Sequence, residues 1–265
     1  MTDIKGIVKI MNFHSLLRVD KSKRTAEKYF KVSEELDSMI VQLLYNRNLT
    51  LDKKVITANK NGKVINIYLG NDLGFCGNFN SKVNKELNMD LDDDLKIVIG
   101  KKIHINNKEN VILNMSKEEF TGSGFNKVQQ IINDTLIKRT CKEINVIYNE
   151  YHNINNIEFV KKKLFPVEFS KKDINDSYDF VIETDVNKVI AKMVSLYICH
   201  QLKIMEQNSY SSENVMRQQV TRESLKKIDE LKEEKDKVIR KEEKYKKFQK
   251  QISNYRGNVG DENDR

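Results

Sequence analysis

Residues that could do chemistry are few and dispersed. The 265-residue chain holds three cysteines, Cys76, Cys141 and Cys199, and four histidines, His14, His104, His152 and His200. None sit at metal-ligand spacing, and an odd, scattered set of cysteines argues against a disulfide framework and for a reducing compartment. The one stretch built like a ligand cradle is Gly70-Asn71-Asp72-Leu73-Gly74-Phe75-Cys76-Gly77-Asn78-Phe79-Asn80, a glycine-punctuated loop between an apolar run and a helical pattern. Its glycine spacing does not match G-x-G-x-x-G, and no Lys-Ser/Thr follows as in a phosphate loop. The glycines then read as allowing a tight turn and close helix–strand packing. Asp72 and Cys76 read as structural, with Cys76 a small packed residue and Asn80 a cap for the following helix. No acid, base or nucleophile–His constellation is visible, so no catalytic, cofactor or metal site is expected.

The elements around that loop come in three blocks. Thr2 to Asn46 reads as a first long helix, capped by Thr2 or Asp3, with Ile4, Ile7, Val8 and Met11 and later Phe30, Leu36, Met39, Ile40, Leu43 and Leu44 at helical spacing. Its middle, Asp20 to Lys28, is polar and either meets solvent or lies in a polar sleeve. Strands are expected at Val55–Ala58 and Lys63–Leu69, joined by a hairpin turn at Lys60–Lys63, then at Leu95–Gly100, Asn110–Met115, Glu143–Asn149, Ile157–Phe165 and Tyr178–Glu183. Pro166, the only proline, suits a strand end. Helices are expected at Asn78–Met89 and Phe125–Lys142, the latter burying Val128, Ile131, Ile132, Leu136 and Ile137. Strands alternating with helices imply a mostly parallel, Rossmann-like sheet.

From Asp185, with Thr184 or Asp185 as cap, to Tyr255 there is neither Pro nor Gly. Such a run reads as one helix on the order of 100 Å long. Val186 to Met205 is apolar enough to dock on the sheet. From Arg222 to Lys250, 20 of 29 residues are charged. Leu225, Ile228, Leu231, Val238, Tyr245, Phe248 and Ile252 then leave a narrow coiled-coil seam, broken at Lys235 and Glu242. Pairs such as Glu223–Lys227 and Glu242–Lys246 would support a solvated face. The fold class is therefore α/β, with long N- and C-terminal helices forming an antiparallel coiled coil on either side of the sheet domain. The segments are residues 1–48, the sheet domain 49–184, the long helix 185–256 and a frayed tail 257–265.

Net charge is +8, with a sequence pI near 9.1. Basic and acidic residues are interleaved, and no RNA-recognition motif, zinc-finger spacing or basic Gly-rich tail is present, so nucleic acid is not an expected partner. No apolar run reaches membrane-spanning length and the N-terminus lacks a signal core, which points to a cytoplasmic chain without direct membrane insertion.

In this order of elements the chain resembles the gamma subunit of F-type ATP synthases, the central rotor. The loop Asn71 to Asn80 is similar to that family's signature. So are Ile97-Val98-Ile99-Gly100-Lys101-Lys102 and Val146-Ile147-Tyr148-Asn149-Glu150-Tyr151-His152-Asn153. Leu164-Phe165-Pro166, Tyr178-Asp179-Phe180, and Ser212-Glu213 with Arg217 also fall in the family's order. Two features depart from it. Leu73 stands where the signature has Arg, and Gln218 to Ser224 replaces a run of small residues. The latter implies a wider helix pair or an altered collar.

The resemblance implies a non-catalytic rotor shaft. A ring of alpha- and beta-type nucleotide-binding subunits makes or hydrolyses ATP around the pair Asp3–Asn46 and Val215–Ile252. The sheet domain is a foot meeting an epsilon-like subunit and further stalk or motor components, and the complex lies peripheral to the inner face of the cell membrane. Asp72, Gly74, Cys76, Gly77 and Asn80 form the structural signature loop. Arg217, Lys241, Lys244, Lys246, Lys247 and Lys250 are candidates to contact the ring. The departures imply a divergent paralogue whose foot drives something other than a proton channel, as in the gliding-motor ATPases of mollicutes. The other class open to the sequence is a coiled-coil adaptor or scaffold unrelated to ATPases.

Overall fold

A computed structural model describes the backbone of residues 2–45, 57–90, 93–167, 169 and 182–262, with side chains described from residue 4 to residue 252 of those spans. The elements run α1 (Thr2–Leu44), β1 (Lys63–Leu69), α2 (Ser81–Met89), β2 (Leu95–Ile99), β3 (Val111–Met115), α3 (Lys117–Glu119), a π-helical turn (Phe120–Gly124), α4 (Phe125–Ile137), β4 (Cys141–Asn153), β5 (Asn156–Phe165) and α5 (Val186–Glu262). Contacts divide the chain into two compact units, Phe13–Gln218 and Met1–Asn12 with Gln219–Arg265.

The larger unit holds a five-stranded sheet in the order β3-β2-β1-β4-β5. β1 pairs in parallel with β2 and with β4, and β2 with β3; β5 returns antiparallel on β4. The mostly parallel sheet expected from the sequence is present. The expected hairpin before β1 is not, because β2 and β4 take both edges of β1. Val55 and Ile56 lie outside the described residues, as do Tyr178 to Val181; Ile182 and Glu183 are not in a strand. The turn itself is real, with the Gly62 N–H donating to Asn59 O at 2.9 Å. Instead, a hairpin joins β4 to β5 through Ile154 and Asn155, carrying both strands past the bounds expected at Asn149 and Ile157.

Side-chain alternation along the strands divides the core into two layers. Ile65, Ile67 and Leu69 with Ile97, Ile99, Ile144 and Val146 pack on Val128, Ile132 and Leu136 of α4, on Val194, Ile198 and Leu202 of α5 and on Ile40 of α1. The opposite face carries Tyr68, Val98 and Ile147 beneath Val83 and Leu87 of α2. α4 ends at Ile137, earlier than the apolar pattern implies. Arg139 adopts a left-handed φ of 53°, and the Arg139 and Thr140 N–H groups donate back to Leu136 O and Thr135 O, both at 3.1 Å. This is a Schellman stop made without the usual glycine, which is why the sequence conceals it. Asp185 caps α5, its Oδ1 accepting the Asn187 N–H at 3.0 Å.

Within the larger unit α1 and α5 run antiparallel, joined by Ser211 Oγ to Ser22 Oγ at 3.1 Å and by Gln201 Nε2 to Ser33 Oγ at 3.2 Å. Ser15, Ser22 and Ser33 are buried on α1, as are Ser209, Ser211 and Ser212 on α5. Two serine hydroxyls in hydrogen-bond reach across a helix pair require close backbone approach. That close approach is at Ser22 and Ser211; the wider pair or altered collar expected from Gln218 to Ser224 concerns the stretch after Arg217. The polar middle of α1 accordingly has one buried position, Ser22, among mostly exposed neighbours.

In the smaller unit Lys5 pairs with Asp229, and Asn12 Nδ2 donates to Thr221 Oγ1 at 2.9 Å. Beyond Asp229 every described side chain of α5 up to Ile252 is exposed. Leu231, Val238, Tyr245 and Phe248 are each more than half exposed. Thus the seam expected to coil against the first helix has no intrachain partner past Asp229 among the described residues. The described helical span continues to Glu262, through Gly257 and Gly260.

Candidate functional site

β1 ends at Leu69 and releases the chain into the glycine loop. Gly70 is a steric necessity: a Cβ there would lie 2.4 Å from Ile103 Cγ1. Gly77 takes φ 57°, which glycine adopts without penalty. Gly74 has open space around it. Phe75 also has a left-handed φ, 62°, costly for a bulky residue, and its ring is 63 % exposed.

Asp72 joins three strand ends. Its Oδ1 accepts the Lys101 N–H at 2.8 Å, after β2, and its Oδ2 accepts the Lys117 N–H at 3.0 Å, after β3. Asn80 does not cap α2, although it stands at the cap position. Its Oδ1 accepts the Asn71 N–H at 3.3 Å, while its Nδ2 donates to Asn71 Oδ1 at 2.7 Å and to Lys102 O at 2.9 Å. Asn80 thus closes the loop on itself and on the β2 exit, leaving no side-chain oxygen for the helix. Asn149 of β4 donates to Phe79 O at 2.8 Å, and Ser212 of α5 donates to Asn149 O at 2.9 Å.

The loop is locked to α5 by charge. Arg217 Nε donates to Gly74 O at 3.2 Å, Nη1 to Asn214 Oδ1 at 2.8 Å, and Nη2 to Cys76 Sγ at 3.0 Å and to Glu213 Oε1. Glu213 Oε2 accepts from Lys117 Nζ at 2.8 Å. Glu213 and Arg217 are almost wholly buried, at 1 % and 3 % exposure. A pair so deeply desolvated holds only because each charge is met by several partners. Burial pushes the Cys76 thiol above its ordinary range, with Arg217 pulling the other way, so the thiol stays protonated and donates towards Gly74 O at 3.4 Å.

The residues expected to act therefore fall in two places. Asp72, Cys76, Gly77 and Asn80 come together as one hydrogen-bonded loop. Arg217, expected among the ring contacts, points inward and clamps that loop. Sequence reasoning placed Ser212, Glu213 and Arg217 together and held Asn71 and Asn149 within its motifs, but missed Lys117; the signal for Lys117 was a cation just past a strand end. Lys241, Lys244, Lys246, Lys247 and Lys250 are exposed on α5. The site arranges no nucleophile beside a base, and no metal-ligating cluster occurs among the described residues. What the geometry can do is transmit force between a long helix and a sheet.

Comparison with known proteins agrees with this architecture. The ATP synthase family model matches residues 1–242. The ATP synthase gamma chain of Mycoplasma mobile is 24 % identical over 249 residues, covering 87 % of this chain and 86 % of that one. The ATP synthase gamma chain of Clostridium perfringens is 26 % identical over 244 residues, covering 86 % and 84 %. Among solved structures, a chain of the Tetrahymena thermophila mitochondrial ATP synthase central stalk and c-ring superposes with a TM-score of 0.54 at 13 % identity, covering 82 % of this chain and 99 % of that chain. That likeness is one of fold. The chain belongs to the ATP synthase family, among its gamma chains.

Proposed function

We propose that this chain is the central rotor shaft of an F-type or F-type-like ATPase, coupling rotation to ATP turnover on alpha- and beta-type partner subunits. The observation that carries the reading is the family match over residues 1–242, which spans both long helices and the sheet between them. The chain itself is non-catalytic in this reading. α5 beyond Asp229 is the part that enters the ring. Its exposed single-file apolar residues, set in dense mixed charge, suit a shaft that must touch a sleeve without binding one side of it tightly. Lys241, Lys244, Lys246, Lys247 and Lys250 are its ring-facing cations. Arg217 acts through the loop it holds, whose exposed Leu73 and Phe75 are the apolar points able to meet a partner. The working division is an axle helix to residue 48, a foot over 49–184 and the shaft helix from 185. The foot takes an epsilon-like subunit and whatever the motor drives; the departures at Leu73 and after Arg217 support a load other than a proton channel. No helix among the described residues is long and apolar enough to cross a membrane; a place in the cytoplasm, peripheral to the inner membrane face, belongs to the same rotor reading.

The test is purification of the tagged chain from its own cells with native mass spectrometry of the complex. One copy accompanied by three plus three nucleotide-binding subunits is the expected result, with additional subunits reporting the load. A homodimer, or a complex without an ATPase ring, returns the chain to the adaptor class.

A further inference from the structure

The first four turns of α1 differ from the rest of the helix. From Ile4 to Leu17 the only charged residues are Lys5 and Lys9, and none is acidic. Ile4, Ile7 and Ile10 in the smaller unit, and Phe13, Leu16 and Leu17 in the larger, are each between 48 % and 61 % exposed. Lys9 and His14 are the only other exposed residues of the stretch. We propose that a partner closes around these turns as an apolar sleeve, and that the sleeve belongs to the ring of nucleotide-binding subunits. The owner of the sleeve rests on the rotor reading; its encircling form rests on the helix alone.

A helical turn of ~3.6 residues sets where each side chain stands around the axis. Counted from Ile4, the side chains of Ile7, Ile10, Leu17, Phe13 and Leu16 follow in that order across an arc of roughly 240°. Lys5, Asn12, Ser15 and Val19 fall in the remaining third. Lys5 pairs with Asp229, Asn12 donates to Thr221, and Ser15 and Val19 are buried. These turns are thus covered on one side and apolar towards solvent on the other two. A helix that is apolar all round belongs inside a core. Soluble chains rarely leave a contiguous apolar patch of more than a few hundred Å² uncovered unless it meets a partner.

The width of the arc selects the occupant. A helix packed on one neighbour needs an apolar stripe of about 100°. The first turns of α1 carry about twice that width besides the side that Lys5 and Asn12 give to α5. A single helix, or a second copy laid along α1, would leave half of these side chains wet; only a partner that surrounds the helix uses all six. The end of α5 gives the contrast. Leu231, Val238, Tyr245 and Ile252 recur every seven residues and so keep to one side. From Lys232 to Lys250, 14 of 19 residues are charged, so the rest of that surface stays wetted. The sleeve therefore grips α1, and the end of α5 runs on without being held on all sides.

The tagged full-length chain is purified from its own cells, and the ring subunits recovered per chain are counted by native mass spectrometry. Ile7→Gln with Phe13→Gln and Leu16→Gln places one polar group on each part of the arc. This triple variant should reduce ring recovery about tenfold or more. The urea midpoint of the free chain should stay unchanged, since all three side chains are exposed. Each single substitution should reduce recovery severalfold, whereas Val238→Gln with Tyr245→Gln and Phe248→Gln on α5 should change it far less. Unchanged recovery in the α1 triple variant overturns the sleeve and leaves the rotor reading standing, as does an equal loss from the α5 variant. A loss confined to one of the three α1 positions replaces the sleeve by a one-sided partner, and a lowered urea midpoint makes these residues part of the fold; both overturn it. Absence of a ring from the unsubstituted chain overturns the rotor reading and the sleeve together. A free chain that dimerises, or that binds phosphatidylglycerol vesicles, and loses that property in the α1 triple variant assigns the patch to a second copy or to a lipid surface and overturns the sleeve.

Discussion

Arg217 and Glu206 show how burial turns two charged side chains to different ends. Arg217 gives up its hydration for Glu213, Asn214, Gly74 O and Cys76 Sγ. Removing it leaves the buried Glu213 carboxylate to Lys117 alone, and breaking a buried pair typically costs ~3–5 kcal/mol. Arg217→Met should therefore lower the urea midpoint of the larger unit strongly, and Arg217→Lys, with one donor group in place of a fork, should recover only part of it. Equal stability of Arg217→Met and the unsubstituted chain would show the clamp to be idle. Glu206 works the other way. Burial raises its folded pKa above the unfolded one, with Lys117, Lys203 and Gln207 opposing and Glu213 adding to the rise. Its contribution to stability is fully present below the unfolded pKa and is lost as pH rises through the folded pKa. Glu206→Gln should then melt higher than the unsubstituted chain at neutral pH, with the advantage vanishing in acid; a pH-independent difference would contradict this. Asp72→Ala should loosen three strand ends and lower stability, leaving ATP turnover by an assembled complex intact; loss of turnover in a fully assembled complex would give Asp72 a role beyond structure.

Among the elements, α4 and α5 carry the clearest consequences. The left-handed Arg139 that ends α4 bears a strain of about 1–2 kcal/mol that glycine would not. Arg139→Gly should stabilise the larger unit by up to about 1 kcal/mol, read as a shift in denaturant midpoint; a loss would mean that the Arg139 side chain contributes more than its backbone costs. For α5, the exposure of Leu231, Val238, Tyr245 and Phe248 locates the part that lacks intrachain support. Deleting Lys241–Arg265 should leave the cooperative melt of the Phe13–Gln218 unit unchanged and weaken ring assembly or torque. A broadened or lowered melt would show that the segment supports the sheet unit. Just before this stretch the i,i+4 pair Lys226–Glu230, at 3.8 Å, is exposed and adds little.

For the whole molecule, the chain yields a packed sheet unit, Phe13–Gln218, and a helix whose described apolar residues past Asp229 are uncovered. A formal charge of +8 keeps such a chain soluble while favouring acidic partners. Raising salt should therefore slow assembly with an ATPase ring more than it weakens the finished complex, measurable as association against dissociation rates; equal effects on both would place the cations outside the encounter.

Much of this was written in local pattern. Absence of Pro and Gly from Asp185 to Tyr255 dictated one long helix, because nothing in that run interrupts backbone hydrogen bonding. Apolar runs ending in glycine set β1 and β2, and the loop Asn71 to Asn80 marked the family before any coordinate was needed. What sequence left undecided depends on residues far apart in the chain. An arginine reads as exposed until a glutamate and a thiol are found around it, as at Arg217. A serine in a polar stretch reads as solvated until a second helix arrives within 3.1 Å, as at Ser22. Asn80 looks like a helix cap until the β2 exit takes its amide. A coiled-coil seam specifies an apolar stripe but not its partner, and past Asp229 no described part of this chain covers it. Periodicity is a property of one element and is legible from its own residues; which face is desolvated, and which charge is matched, is settled only when the elements meet.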